Sequence, residues 1–150
     1  MRVWRIASAR FPVLDGEGAR LFGGRWNSIG SPVVYTAEHA SLAVLETLVW
    51  TDPEDVPDDL LLYEIEVPKD ASVDRLNADG LPADWKEAGA AVCVRLGDEW
   101  LASMRSLVLL VPSSIMDRDS NVLLNPRHPE ARSVRVVRAE PFAFDLRLLS

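Results

Sequence analysis

Residues 61–68 read LLYEIEVP, and this short alternation decides the fold class. Leu61, Tyr63, Ile65 and Val67 fall on one side of an extended chain, with Glu64 and Glu66 on the other. A strand that is apolar on one face and charged on the other belongs to an antiparallel sheet with a solvated side. Toward the N-terminus, MRVWRIA (1–7) reads as a strand and SARFPVLDGEGARLFGG (8–24) as a Gly-rich loop. RWNS (25–28) and PVVYTA (32–37) read as two short strands, separated by the turn residues Ser28, Gly30, Ser31 and Pro32. EHASLAVLETLVW (38–50) has a helical period with Thr36 as its cap, and the two prolines and five acids of TDPEDVPDD (51–59) end it.

Toward the C-terminus, the spacing predicts a helix from Ala88 to Ser106, weakened by Gly97. LVLLVP (107–112), NVLLNP (121–126), SVRVVRAE (133–140) and FAFDLRLL (142–149) read as further strands. Many strands with few helices between them predict an α+β fold with a mixed, largely antiparallel sheet. No GxGxxG or GxxxxGK[ST] follows a strand, so a nucleotide would bind by another geometry.

The 150 residues fit one domain, 1–150, large enough to hold a core without disulfides or metal. Cys93 is the single cysteine and reads as core filler in a reducing cytosol. A net charge of −7 argues against a broad nucleic-acid surface, while leaving room for a small anion site and a basic protein partner. No apolar run spans a membrane, and the N-terminus lacks the apolar core of a signal peptide; the expectation is a cytoplasmic protein with no membrane contact. His39 and His128 are too few for a metal site, and none is expected.

Within the predicted helix, Leu42, Leu45, Glu46, Val49 and Trp50 share a face, so a carboxylate stands where the pattern wants a leucine. Burying an unpaired charge is costly, so Glu46 is either structurally paired or a catalytic carboxylate in a cleft. Arg25 follows Gly23-Gly24; it is either a surface arginine or a planar fork gripping a phosphate beside open backbone. Tyr35 is a core aromatic or a ring that orients a ligand. Ser113, just past a buried strand, is a turn serine or a functional hydroxyl. Asn125, Arg127 and His128 in NPRHP read as turn chemistry that could line a pocket.

Taken together, GGRWNSIGSPVVYTAEHASLAVLETLVW (23–50), LGDEWL (96–101), LLVPSSIMDRDSNVLLNPRHPEA (109–131) and the closing FAFDLRLL resemble RES-domain proteins, the toxins of RES–Xre toxin–antitoxin pairs. The resemblance runs over nearly the whole chain. It implies an ADP-ribosyltransferase-like fold and places the family's arginine at Arg25, tyrosine at Tyr35, glutamate at Glu46 and serine at Ser113 rather than Ser114. Trp26, Asn27 and Asn125 join Arg25 and Tyr35 as implied substrate-binding residues. NAD+ is then a consumed substrate rather than a cofactor. Cleavage of its nicotinamide–ribose bond proceeds by hydrolysis, by phosphorolysis with inorganic phosphate as co-substrate, or by transfer of ADP-ribose to a protein. The implied partner is an Xre-like helix-turn-helix antitoxin, which leaves the toxin no need to touch DNA, and the resemblance allows a homodimer within the toxin–antitoxin complex. A reading from another class makes the chain a binding module in which Arg25 and Glu46 form a structural ion pair.

Overall fold

The computed structural model describes residues 1–87 and 89–150. In chain order the elements are β1 (Arg2–Ser8), α1 (Glu17–Phe22), β2 (Val34–Ala37), α2 (Ala40–Leu48), β3 (Leu60–Glu66), β4 (Val73–Arg75), α3 (Ala91–Ser103), β5 (Val108–Pro112), β6 (Ser120–Leu124) and β7 (Arg135–Pro141). The strands form one seven-stranded sheet in the order β4-β5-β6-β2-β1-β3-β7. Only β4–β5 is parallel among the described pairs, so the fold is α+β with a mixed, largely antiparallel sheet, as the alternation predicts.

The strand that decides the class behaves as read. Tyr63, Ile65 and Val67 are buried in a cluster with Val3, Val34, Val122 and Leu124. Glu64 and Glu66 face the other way and meet Arg2 and Arg135, at 3.4 Å and 2.8 Å respectively.

Register then places the helices. On one face, Tyr35, Leu123 and Leu109 lie side by side across β2, β6 and β5, followed by Ala37, Asn121 and Val111. Over this face α3 packs Cys93, Trp100 and Leu101 onto Leu109, Val111 and Leu123, with Trp26 and Trp85 in the same cluster. α2 covers the neighbouring stretch through Leu42 and Ala43, which pack with Ile6, Ala37, Leu60 and Phe144. β1 and β2 meet at a single register pair, Trp4 with Ala37. The apolar cluster beneath α2 therefore joins the two halves of the sheet where backbone pairing is sparse.

Several expected boundaries shift. RWNS is a turn, not a strand; its one bridge joins Gly24 to Asn27. The Gly-rich loop contains α1, and β4 adds a short strand that the sequence reading did not foresee. α2 starts at Ala40 after His39, while Thr36 instead donates its hydroxyl to the Val122 carbonyl at 2.7 Å. The helix ends at Leu48, leaving Val49 and Trp50 exposed rather than on a buried face. α3 covers Ala91–Ser103, shorter than expected at both ends, and the expected start at Ala88 lies outside the described residues. FAFDLRLL is no strand: Phe142 and Phe144 stack edge to face at 5.1 Å, and Leu146–Leu149 form a 3-10 turn.

Candidate functional site

Glu46 sits on α2, half-buried at the edge of the face bearing Asn121. Its Oε1 accepts two hydrogen bonds, from the Ser113 hydroxyl at 2.6 Å and from Asn121 Nδ2 at 2.9 Å. Among the described residues Oε2 has no partner and the carboxylate meets no cation within ion-pair distance. The register explains the meeting. Asn121 stands beside Ala37, and Val111 beside Asn121, so the residue two past Val111 continues on the same face toward α2.

Ser113 is fully buried and its hydroxyl is saturated. It donates to Glu46 and accepts from the Ile115 and Met116 amides, each at 3.1 Å. A serine so engaged holds the carboxylate in place. Ser113, not Ser114, makes these bonds. Asn121 is the residue that sequence reasoning missed. Its only signal was its place in a strand whose register had not been fixed.

Arg25 follows the sharp turn that Gly23 and Gly24 permit. Gly23 has φ +72°, and a Cβ on Gly24 would stand 2.7 Å from the Tyr35 hydroxyl. Gly24 thus makes room for the tyrosine hydroxyl. The Arg25 guanidinium donates through Nη1 to the carbonyls of Trp85 (2.9 Å) and Glu87 (3.3 Å), and through Nη2 to that of Lys86 (3.1 Å). Among the described residues no carboxylate pairs with it. Arg25 and Glu46 do not form the ion pair that a purely structural reading required.

The Tyr35 hydroxyl donates to Asn27 Oδ1 at 2.6 Å and accepts from the Trp26 amide at 3.0 Å. Burial pushes its phenol well above the ordinary value, so it remains neutral. Asn27 is buried too, its Nδ2 serving the carbonyls of Ala19, Ser28 and Ser31. Trp26 is buried against Trp85, their centroids 6.4 Å apart, and its indole N–H has no partner among the described residues. Together Tyr35, Trp26 and Asn27 brace the Arg25 turn.

Asn125 lies apart from Glu46, in turn chemistry that lines a cavity. It is buried just past the far end of β6, about 13 Å of strand from Asn121 at roughly 3.3 Å per residue. Its Oδ1 accepts from the Arg127 amide at 3.0 Å and its Nδ2 donates to the Leu101 carbonyl at 3.2 Å. There it lines a cavity of about 120 Å³ with Ser31, Pro32, Asp98, Leu101, Ala102 and Arg127. That cavity does not include Arg25 or Glu46.

A chain of contacts connects the two principal groups. Arg25 holds the 85–87 segment, Lys86 Nζ reaches Asp117 Oδ2 at 2.9 Å, and Asp117 lies on the loop that begins with Ser113. Lys86 holds the Asp117 carboxyl below the usual carboxylate range. The Cys93 thiol is pushed up by burial, which makes it a poor nucleophile. Glu38, His39 and Asp119 bring possible metal-ligand atoms within 4.8 Å of one another, but Glu38 Oε1 already accepts the Ser120 amide at 2.6 Å. Among the described residues no helix is long and apolar enough to cross a membrane.

This arrangement presents a half-buried carboxylate with one free oxygen and an unneutralised arginine, tied together through one loop. Known proteins are similar to this chain over nearly its whole length. A Prs ADP-ribosylating toxin of Sphingobium sp. (strain YBL2) is 38% identical, with 97% of this chain and 95% of the relative covered. A protein named Toxin Res from Pseudomonas putida is 40% identical over 99% of both chains, and one from Photorhabdus laumondii is 36% identical over 99% and 97%. In fold it is similar to a chain of the M. tuberculosis MbcT–MbcA toxin–antitoxin complex. That similarity has a TM-score of 0.74 and 22% identity over 94% of this chain and 83% of the other. The RES domain matches residues 2–145, and the chain belongs to the RES-domain family.

Proposed function

We propose that this protein is a toxin that consumes NAD+ by breaking its nicotinamide–ribose bond. The observation that carries the reading is the Glu46 carboxylate, fixed at one oxygen by Ser113 and Asn121 and, among the described residues, unpaired at the other. When the C–N bond breaks, its electron pair leaves with neutral nicotinamide, and the ribose carbon develops positive charge as in glycoside cleavage. A fixed carboxylate stabilises that charge, an effect of several kcal/mol in a partly dry site. Water or inorganic phosphate then forms the new C–O bond and gives up a proton. Arg25 supplies the positive charge for the pyrophosphate. Among the described residues, carbonyls engage three of its five N–H groups, and the positive charge meets no carboxylate.

The test is nicotinamide release from NAD+ by the purified protein, with and without phosphate. Wild type should release it, and Glu46→Gln should cut the rate by about 10²–10³-fold while the melting temperature is retained. A folded wild type that leaves NAD+ intact in both conditions removes the proposal.

A second reading, transfer of ADP-ribose to a protein, is favoured by the name of the Sphingobium relative. Labelled NAD+ would then mark a cell protein, with little free ADP-ribose formed. Relatives named as toxins and a fold neighbour from a toxin–antitoxin complex support an antitoxin partner, and the family resemblance implies one of the Xre type. A neighbouring gene for a small helix-turn-helix protein, and its co-purification with this chain, would check that.

A further inference from the structure

The 85–87 segment carries a second cation that the proposed reaction has not yet used. Lys86 gives its carbonyl to Arg25 Nη2 at 3.1 Å, so its side chain starts beside the guanidinium. Its ammonium lies 5.9 Å from the Trp85 ring centroid and 2.9 Å from Asp117 Oδ2. Both partners of this ion pair are about half exposed, at 46% and 52% of the side chain. An exposed pair of this kind is weak and readily exchanged. Arg25, by contrast, is fixed in place by three carbonyls and has no counter-charge among the described residues. Two cations thus meet at the same three-residue segment, Arg25 preorganised by its carbonyls and Lys86 held by a replaceable partner.

We infer that Lys86 is a second phosphate-binding residue, which leaves Asp117 to join Arg25 on the pyrophosphate of a dinucleotide. This rests on the proposed NAD+ reading and extends it. The two cations differ in kind. Arg25 offers a planar fork at fixed geometry, whereas Lys86 offers a point charge on a flexible stem that can follow the second phosphate. Asp117 opposes binding twice, by occupying Lys86 and by placing negative charge beside the anion. It also lies on the loop whose first residue, Ser113, holds Glu46, so exchange at Lys86 occurs on the loop that positions the carboxylate.

The experiment is calorimetric titration of ADP-ribose and inorganic pyrophosphate into wild type, Lys86→Met, Lys86→Arg and Asp117→Asn, with nicotinamide release measured in parallel. Lys86→Met should weaken both ligands about tenfold, and Lys86→Arg should restore most of the affinity. Asp117→Asn should tighten both by about threefold, as expected for removal of one partly screened charge. The opposite signs are decisive. If the ion pair only fastens two loops, the Met and Asn variants break the same contact and change together. Equal effects, or unchanged affinities in a wild type that consumes NAD+, overturn this inference alone. A folded wild type that neither binds these ligands nor consumes NAD+ overturns the NAD+ reading and this one with it. Lys86 and Asp117 are exposed, so melting curves of the variants should match wild type and show that folding is intact.

Discussion

The Ser113 hydroxyl has nothing left over: its proton goes to Glu46 and its oxygen serves two amides. Ser113→Ala therefore removes the acceptor of two part-buried N–H groups and loosens the carboxylate. The expected cost is about 1–3 kcal/mol of stability, together with a fall in turnover of roughly tenfold or more as the carboxylate loses its fixed position. Denaturant melts and steady-state rates check both, and a rate that falls without loss of stability would contradict the geometry. Tyr35→Phe should behave differently. It removes the link between Asn27 and the Trp26 amide, with about 1–3 kcal/mol lost, and KM for NAD+ should change only as far as the Arg25 turn relaxes. Glu46 was legible because a carboxylate at a leucine position in a helical period demands an explanation. The bracing role of Tyr35 and Asn27 was not, because which hydroxyl meets which amide depends on a turn that the Gly-Gly pair only permits. Asn121 was hidden for a related reason, since a one-residue slip of β6 would have turned it to the other face.

Gly97 shows how packing can reverse a local preference within an element. In the middle of an exposed helix, replacing glycine by alanine gains about 1 kcal/mol. Here an added Cβ would stand 1.7 Å from the Trp26 carbonyl oxygen, an atom of fixed backbone. Gly97→Ala should therefore destabilise the protein by about 1–3 kcal/mol or more, because α3 must move off the turn that carries Arg25. Chemical denaturation reads the sign directly, and a stabilised variant would show that α3 does not press on that turn. The weakened helix signal at Gly97 thus marks where α3 and the Arg25 turn touch. Alternation is a less complete guide. LLYEIEVP and FAFDLRLL share the same period, yet only the first is a strand. β3 begins at Leu60, whose carbonyl accepts the Phe142 amide at 2.9 Å, so the chain beyond Phe142 has no further edge to pair with. Asp145 then accepts the Arg147 amide at 3.0 Å and starts the closing 3-10 turn.

Across the whole molecule, carboxylates add side-chain bonds between parts of the chain that are distant in sequence. Glu66 on β3 meets Arg135 on β7 and Arg2 on β1; Asp59 accepts from Ser8 and Arg10; Glu130 accepts from the hydroxyl and amide of Ser72. In each case these bonds hold the carboxyl below its ordinary value, through Arg135 for Glu66, Ser8 and then Arg10 for Asp59, and Ser72 for Glu130. The sign follows from linkage. A group whose folded pKa is depressed contributes stability that is present above its unfolded pKa and is lost as pH falls through the folded value. The three unfolded references are 3.8 for the aspartate and 4.5 for the two glutamates, so stability should hold at neutral pH and decline from about pH 4.5 downward. Because these carboxyls are partly exposed, at 21–35% of the side chain, their separate contributions should be small and weakened by salt. Urea melts between pH 7 and pH 3 should show a midpoint falling only on the acid side. Ser72→Ala removes the hydroxyl that does most to depress Glu130, so its curve should start lower and fall less steeply. A Ser72→Ala profile parallel to wild type would mean that Glu130 titrates alike in the folded and unfolded chains and that the acid slope comes from other carboxylates.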